Sequence, residues 1–216
     1  MKIDFVSDVS CPWCAIGLHA LEQALGQVAP DITATLHFQP FELNPAMVPE
    51  GQDITEHLSQ KYGITAAQIA SNTEAIRQRG ASVGFEFGIG KRSRIYNTFD
   101  AHRLLHWAGL QGQAQQTALK HALLKAYFTD GQNPGDMGVL LQTAKTAGLD
   151  EDSARSVLQS DAHADDVRQA QAFYQQQGIQ SVPAIIINNR HLISGGQPVE
   201  VFAQALRQIA AETAPA

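Results

Sequence analysis

The sequence predicts an α/β fold in which one sheet is built from the two ends of the chain. Three observations predict it. Residues 3–40 show the pattern of a strand, a helix and a second strand, and residues 184–209 show two strands followed by a helix. The residues between them, from about 45 to about 159, carry mostly helical patterns. We therefore expect a sheet-containing frame that a long helical segment interrupts.

The N-terminal unit begins with a strand at residues 3–6, where the alternation is typical of a half-buried strand. Apolar side chains then recur at helical spacing between Cys14 and Val28, and they predict one amphipathic helix. Strict alternation over residues 32–39 predicts the second strand, which Pro40 ends.

The C-terminal unit begins with apolar strands at residues 184–187 and 191–193. Asn188 and Asn189 between them favour a tight hairpin turn, because asparagine tolerates positive φ. Pro198 then introduces a last helix. The apolar stripe of this helix comprises Val199, Phe202, Leu206 and Ile209.

The middle segment divides into several helices, of which some begin at capping residues such as Thr98 and Asp136, and some end at Gly109, Gly148 or Gly178. The predicted helices span residues 55–61, 65–79, 98–109, 112–128, 136–148, 150–158 and 161–177. A Gly-rich stretch at residues 84–90 lacks the spacing of a phosphate-binding loop, and we predict a surface loop there.

The composition excludes several functional classes. The chain has 216 residues, 44% of them hydrophobic, so it can bury a substantial core. Its net charge of −6 argues against a general nucleic-acid binder, and no apolar run reaches the roughly 20 residues that cross a bilayer. A strand that begins directly after Met1 leaves no room for a secretory signal, so we expect a cytoplasmic protein. In that compartment a lone cysteine pair is more often catalytic or metal-binding than structural.

The only two cysteines, Cys11 and Cys14, lie at the predicted start of the first helix and are separated by Pro12 and Trp13. Pro12 suits the first helical position, which leaves Cys11 at or beside the N-cap. The unpaired amides and the positive end of the helix dipole favour a thiolate there, and the thiolate is the nucleophile. Cys14 lies one turn deeper, where burial disfavours its charged form. This asymmetry predicts a dithiol redox pair in which Cys11 attacks and Cys14 resolves.

A zinc site is the alternative interpretation, because C-x-x-C is also a metal-ligand spacing. His102 and His106 lie four residues apart on one predicted helix and could complete a Cys₂His₂ set. The succession of strand, C-x-x-C and helix favours redox chemistry over zinc. We therefore predict no metal site.

These features resemble the DsbA family of thioredoxin-fold oxidoreductases. The resemblance rests on the strand, on the Cys-Pro-Trp-Cys motif at a helix start, and on Val182-Pro183 before a late apolar strand. With Asp8 upstream of the motif, the chain is most similar to the FrnE-like branch of the family. The similarity extends over nearly the whole chain and includes residues 97–103 and 131–136.

The resemblance implies a thioredoxin-like domain that is discontinuous in sequence, formed by residues 1–44 and 160–216. Residues 45–159 then form a large inserted all-helical domain that covers the active site. The implied activity is thiol–disulfide oxidoreduction, as an oxidase, isomerase or reductase, through a mixed disulfide at Cys11 that Cys14 resolves. This exchange needs no metal or organic cofactor. The expected partners are disulfide- or thiol-bearing proteins or small molecules, with glutathione as a candidate co-substrate, and the chain is expected to be a monomer or a dimer.

Pro12, Trp13, Val182 and Pro183 are the expected lining of the active site and its substrate groove. In the family, the bond before the late proline is cis, and the turn lies against the two cysteines. Such a turn exposes the backbone N–H and C=O of Val182, which can pair with an extended substrate like an added strand. Sequence statistics alone favour a trans bond, so the cis bond follows only from the resemblance.

Several charged residues are candidates for supporting roles. Asp8 is a candidate proton acceptor near the buried cysteine, or else a solvated carboxylate at the end of the strand. His102 is expected to face the active site from the insertion, or to pack within it. The basic run of Lys91, Arg92 and Arg94 would bind carboxylates of glutathione or of an acidic substrate if it lies over the thiols, and is otherwise a solvated loop.

Two further expectations concern the motif. Glutathione-dependent isomerases or transferases of the kappa-like type are similar in architecture, but they usually carry Ser at the position of Cys11 and lack the second cysteine. The inner residues Pro12 and Trp13 carry no charge. We therefore expect a reduction potential below that of relatives with His inside the motif.

Overall fold

The computed structural model describes residues 1–213 and has the mixed α/β fold that the sequence predicts. Its strands are β1 (Lys2–Ser7), β2 (Thr35–Pro40), β3 (Gln52–Asp53), β4 (Arg94–Ile95), β5 (Ala184–Ile187) and β6 (His191–Ser194). Its helices are α1 (Pro12–Val28), α2 (Ile54–Tyr62), α3 (Ala66–Ser82), α4 (Phe99–Gln111), α5 (Gln113–Leu124), α6 (Met137–Thr146), α7 (Glu151–Leu158), α8 (Ala164–Gln176) and α9 (Val199–Thr213). A π-helical turn at Lys125–Thr129 continues α5. Among these helices, none combines the length and apolar character needed to cross a membrane.

One four-stranded sheet joins the two ends of the chain, in the order β2-β1-β5-β6. β1 is parallel to β2 and antiparallel to β5, so that Phe5 pairs with Phe38 on one side and with Ile185 on the other. β5 and β6 form the predicted hairpin, with φ of 53° at Asn188 and 56° at Asn189. The frame built from both ends of the chain is therefore confirmed.

β1 is one of the two inner strands, and it is buried on both faces rather than half-buried as predicted. Ile3 and Phe5 pack with α1 and α9 in one cluster, while Val6 packs with Tyr174 and Ala184 in another. Since helices cover both faces of the sheet, the alternation in β1 does not mark a solvent-facing side.

β2 begins at Thr35, later than the strand predicted over residues 32–39. The N–H of Ile32 donates to the carbonyl of Val28 at 3.0 Å, which extends the turn that follows α1. The first part of the alternating pattern therefore belongs to a connection. Pro40 is the last residue of β2, in agreement with the prediction.

The middle of the chain is helical from α2 to α7, as predicted. It also contains a short antiparallel ribbon of β3 and β4, in which Gln52 pairs with Ile95. Strands of two residues are too short to produce an alternation, so the sequence pattern did not indicate them. The helix predicted over residues 112–128 is divided, because the π-helical turn takes the place of its last turn.

The Gly-rich stretch at residues 84–90 is a loop, but it does not lie wholly on the surface as predicted. Phe85 is buried, and its ring centroid lies 4.8 Å from that of Phe87 and 6.3 Å from that of Phe128. Ile89 is exposed. Aromatic contacts thus anchor one half of this loop in the core.

The frame and the insertion share hydrophobic contacts. One cluster contains Leu18 and Phe202 of the frame together with Phe128 of the middle segment. We propose the predicted boundaries, after residues 44 and 159, as the division between a thioredoxin-like domain and an inserted domain.

Candidate active site

The Cys-Pro-Trp-Cys motif begins α1, as the sequence predicts. Cys11 is the N-cap residue, with extended backbone angles of φ −91° and ψ 114°, and Pro12 follows at the start of the helix. The carbonyl of Cys11 accepts hydrogen bonds from the N–H groups of Cys14 at 3.1 Å and Ala15 at 3.4 Å. Cys11 therefore lies at the positive end of the helix dipole.

Both cysteines are free thiols and both are buried, with 4% of Cys11 and 0% of Cys14 exposed. Burial raises the pKa of the Cys14 thiol well above its ordinary value, and the hydrogen bond and charge of Cys11 raise it further. Cys14 is therefore protonated at neutral pH.

The turn at Val182-Pro183 packs against the cysteine motif. Its peptide bond is cis, as the family resemblance implies. The thiol of Cys11 donates to the carbonyl of Val182 at 3.5 Å. Pro183 lies against α1 at Gly17, where an added Cβ would lie 3.1 Å from the Pro183 Cγ. The helix thus has a glycine at the point where the turn approaches it.

Two aromatic side chains, one in the motif and one in the middle segment, are partly exposed. Trp13 of the motif is 42% exposed. Tyr62, at the end of α2, is 56% exposed, and its partial burial and the charge of Cys11 raise its pKa. Sequence reasoning did not select Tyr62, because only the folding of the middle segment brings α2 to the motif.

Asp8 and His102, the two candidates for supporting roles, lie together. Both are buried, and the Nε2 of His102 lies 3.5 Å from the Oδ1 of Asp8. The Asp8 carboxylate also accepts hydrogen bonds from the N–H groups of Ser10 at 3.1 Å and Leu43 at 2.7 Å. Burial raises the pKa of Asp8, but His102 and these N–H groups outweigh that effect and lower the pKa to about 2. Asp8 is therefore a buried carboxylate and not a solvated one.

Sequence reasoning missed a buried lysine whose charge acts on the cysteine pair. Lys120 of α5 is 0% exposed, and its Nζ has no hydrogen-bond partner within residues 1–213. Burial lowers the pKa of Lys120, whereas negative charge at Cys14, Asp8 and Cys11 raises it. The Nζ also lies 5.8 Å from the centroid of the Phe38 ring. Lys120 thus brings a buried amine to the ionisable groups of the site.

The sequence did contain a signal for this lysine. Gln116, Lys120, Leu123 and Leu124 recur at helical spacing on one face of α5, and all four are buried. A lysine within such a stripe is unusual, because lysine is almost never fully buried without a partner. The sequence could not show what faces the stripe, since the cysteines lie far away along the chain.

The zinc set considered from the sequence is not formed. His102 faces Asp8, whereas the Nε2 of His106 lies 3.7 Å from the Oδ2 of Asp166. His106 clusters instead with His163 and Asp166. In the part of the chain that the structure describes, the clusters of potential metal ligands contain no cysteine.

The basic run makes other contacts. The guanidinium carbon of Arg92 lies 5.2 Å from the ring centroid of Tyr127 and 4.9 Å from that of Phe128. Arg94 donates to two backbone carbonyl groups of the loop before β3. These contacts give Arg92 and Arg94 structural roles, and the binding of glutathione by this run, with Lys91, stays a prediction.

Comparisons with known proteins identify related chains. Residues 2–207 match the family described as DSBA-like thioredoxin domain. The probable DsbA oxidoreductase SCO1869 from Streptomyces coelicolor is 32% identical, and its crystal structure gives a TM-score of 0.92, covering 100% of this chain and 92% of that chain. The protein YwbO of Bacillus subtilis is 27% identical over 207 residues, which cover 95% of this chain and 96% of YwbO.

A more distant solved structure has the same fold. The cytosolic disulfide reductase DsbM from Pseudomonas aeruginosa, solved with GSH, is 15% identical and gives a TM-score of 0.66, covering 97% of this chain and 100% of that chain. At this identity the likeness shows the fold alone.

Proposed function

The chain belongs to the DSBA-like thioredoxin family of disulfide oxidoreductases, and on this premise we propose that Cys11 and Cys14 are its redox-active pair. One observation carries the proposal. Cys11 lies at the N-terminus of α1, and its charge acts on the thiol of Cys14, which is buried and protonated one turn deeper. The first position favours the nucleophilic thiolate, and burial at the second keeps the resolving thiol protonated.

The exchange takes two steps. The Cys11 thiolate attacks one sulfur of a substrate disulfide, a bond forms between these two sulfurs, and the other substrate sulfur leaves as a thiolate. Cys14 then loses its proton and attacks the Cys11 sulfur, which releases the remaining substrate thiolate and forms the Cys11–Cys14 disulfide. The substrate gains two electrons and the enzyme loses two. The same steps in reverse oxidise a substrate dithiol.

The second step requires a thiolate at a buried sulfur. Lys120 opposes the effect of burial, because its charge lowers the pKa of Cys14. Asp8 in turn raises the pKa of Lys120, and His102 helps to keep Asp8 ionised. We assign Lys120, Asp8 and His102 as positioning residues that set the charge around Cys14.

The proposed substrate groove lies at the Val182-Pro183 turn. The carbonyl of Val182 accepts the hydrogen bond of the Cys11 thiol, and an extended substrate would pair with the same stretch of backbone. Trp13 and Tyr62 offer exposed aromatic surface near the reactive sulfur. These features suit a disulfide in a peptide or in a small molecule.

Glutathione is the proposed co-substrate, and the cytoplasm is the proposed location. The shared fold of DsbM, a cytosolic disulfide reductase solved with GSH, supports both proposals. The glutathione-dependent isomerase or transferase remains the rival, and the presence of both Cys11 and Cys14 counts against it.

Turnover of insulin disulfides in the presence of glutathione tests the proposal. We expect the wild-type chain to accelerate their reduction, Cys11→Ser to abolish this activity, and Cys14→Ser to lose most of it, because the mixed disulfide then lacks an internal thiol and is resolved only by the slower attack of glutathione. Activity that requires glutathione and survives intact in Cys14→Ser would favour the rival reaction instead.

A further inference from the structure

A cluster of two histidines and a glutamate joins α1 to α5, apart from the cysteine pair. His19 and Glu22 lie one turn apart on α1, and His121 lies on α5. One potential ligand atom of each lies within 4.8 Å of the other two, and all three residues are partly buried. His19 follows Cys11 by eight residues, which corresponds to about 12 Å along the helix axis.

A hydrogen bond orients His19 as a metal ligand. Its Nδ1 lies 3.0 Å from the carbonyl oxygen of Ala15, so this nitrogen carries the hydrogen and donates it. The Nε2 therefore has a free lone pair, as in metal-binding histidines that donate their other nitrogen to a backbone carbonyl.

The other two side chains are also held in place. The Nε2 of His121 lies 2.8 Å from the Oε1 of Glu22. The rings of His19 and His121 meet edge to face with their centroids 5.0 Å apart, and Phe85 contacts His19 in the same way at 4.9 Å. A metal ion would take the place of the proton that His121 shares with Glu22.

We propose that His19, Glu22 and His121 bind one zinc ion, with a water molecule as the fourth ligand. Two imidazole nitrogens and one carboxylate oxygen are ligands that zinc takes in tetrahedral coordination, at about 2.0–2.2 Å from the metal. Three-ligand sites of this kind keep one position open to water. Because the ligand atoms already lie within 4.8 Å of one another, small side-chain rotations bring them to these distances.

The ion would link α1 of the frame to α5 of the middle segment. α1 carries the cysteine motif, and α5 carries Lys120 directly before His121. Zinc bound between these helices would fix the redox pair relative to the buried amine. Since the site requires both helices in their folded positions, bound zinc would also stabilise the folded state.

Zinc affinity, measured by competition with a chromophoric chelator, tests this site. All samples carry Cys11→Ser and Cys14→Ser in the full chain, so that no thiolate competes for the metal. We expect this protein to bind one zinc ion and to melt at a higher temperature with zinc present. Glu22→Gln and His121→Ala should each weaken zinc binding at least about tenfold. Mutating even a hydrogen-bond partner of a metal ligand lowers metal affinity by about 10–100-fold. His163→Ala, in the more exposed cluster with Asp166, is the matched control and should leave the affinity unchanged.

Two results would overturn the site: no zinc binding by the thiol-free protein, or binding that His163→Ala removes and Glu22→Gln leaves intact. Glu22→Gln nearly keeps the side-chain volume, so it decides the matter if circular dichroism shows His121→Ala to be unfolded. Because this measurement uses a thiol-free protein, its outcome is independent of the disulfide exchange proposed for the cysteines.

Discussion

At the scale of single residues, the site depends on how burial and charge act on three neighbouring groups. Burial raises the pKa of Cys14 and lowers that of Lys120, while hydrogen bonds keep Asp8 ionised against the same effect. The spacing of the cysteines and the position of Asp8 made these residues predictable from sequence. Lys120 was not predicted, because it reaches Cys14 only through the packing of α5 against the frame.

Lys120→Met removes the buried amine and keeps most of the side-chain volume. Since Lys120 lowers the pKa of Cys14, we expect the resolving step to slow by about tenfold or more and the mixed disulfide at Cys11 to accumulate. Quenched-flow mass spectrometry measures this step. Lys125→Met is the matched control, because Lys125 is 65% exposed on the following turn. Equal slowing in both variants would remove the special role of Lys120.

Asp8→Asn keeps the shape of the side chain and removes its charge. The pKa of Asp8 is about 2 in the folded state and roughly 3.9 in an unfolded chain, so its charge stabilises the folded state above about pH 4. This contribution is lost as the pH falls toward 2. It amounts to about 2 kcal/mol at pH 7 and about half of that at pH 3.

The wild-type chain should therefore exceed Asp8→Asn in the free energy of unfolding by about 1 kcal/mol less at pH 3 than at pH 7. Urea unfolding at the two pH values measures the difference in the free energy of unfolding. A difference that does not change with pH would show that the charge of Asp8 does not stabilise the fold.

At the scale of elements, α1 is positioned by close contacts that leave no room for side chains. A Cβ added at Gly17 would lie 3.2 Å from the Cα of Gly196, and one added at Gly196 would lie 2.9 Å from the carbonyl oxygen of Trp13. The start of α1 and the hairpin turn were predictable, because Pro12 and the paired asparagines are local signals. The β3–β4 ribbon and the π-helical turn were not, since each is too short for a periodic pattern.

Gly17→Ala should push the Val182-Pro183 turn away from α1. The added methyl group would lie 3.1 Å from the Cγ of Pro183, which is tighter than ordinary van der Waals contact. We expect the free energy of unfolding to fall by about 1–3 kcal/mol, and disulfide turnover to fall with it. Gly26→Ala, in the same helix, is the control.

An added Cβ at Gly26 meets no atom within 4 Å in the described part of the chain. The free energy of unfolding of Gly26→Ala should rise by up to about 1 kcal/mol, because alanine favours the helix more than glycine does. Urea unfolding compares the two variants. If Gly17→Ala is as stable as Gly26→Ala, the turn does not press on the helix as described.

At the scale of the whole molecule, the frame was predictable and the packing of the insertion against it was not. Strand patterns at the two ends predicted one sheet, and the structure confirms it. Which helix faces meet depends on tertiary packing, so the pairing of His19 with His121 and the burial of Phe85 in the core were not visible in the sequence. Local periodicity therefore predicted most of the helices and strands, but it predicted fewer of the residues that meet at the site.

The redox equilibrium of the whole enzyme provides a further test. Pro12 and Trp13 contribute no charge that would stabilise the reduced form, so we expect a reduction potential more negative than about −120 mV. Equilibration in glutathione buffers, followed by alkylation and mass spectrometry, measures it. A potential near −120 mV would mean that another charge, such as Lys120, dominates the equilibrium.

The central claim is that Cys11 attacks and Cys14 resolves. Intact-mass spectrometry of the reduced proteins after brief exposure to oxidised glutathione tests it most directly. We predict a persistent glutathione adduct on Cys14→Ser, an internal disulfide without adduct in the wild-type chain, and no adduct on Cys11→Ser. A persistent adduct on Cys11→Ser, with Cys14→Ser left unmodified, would contradict the account.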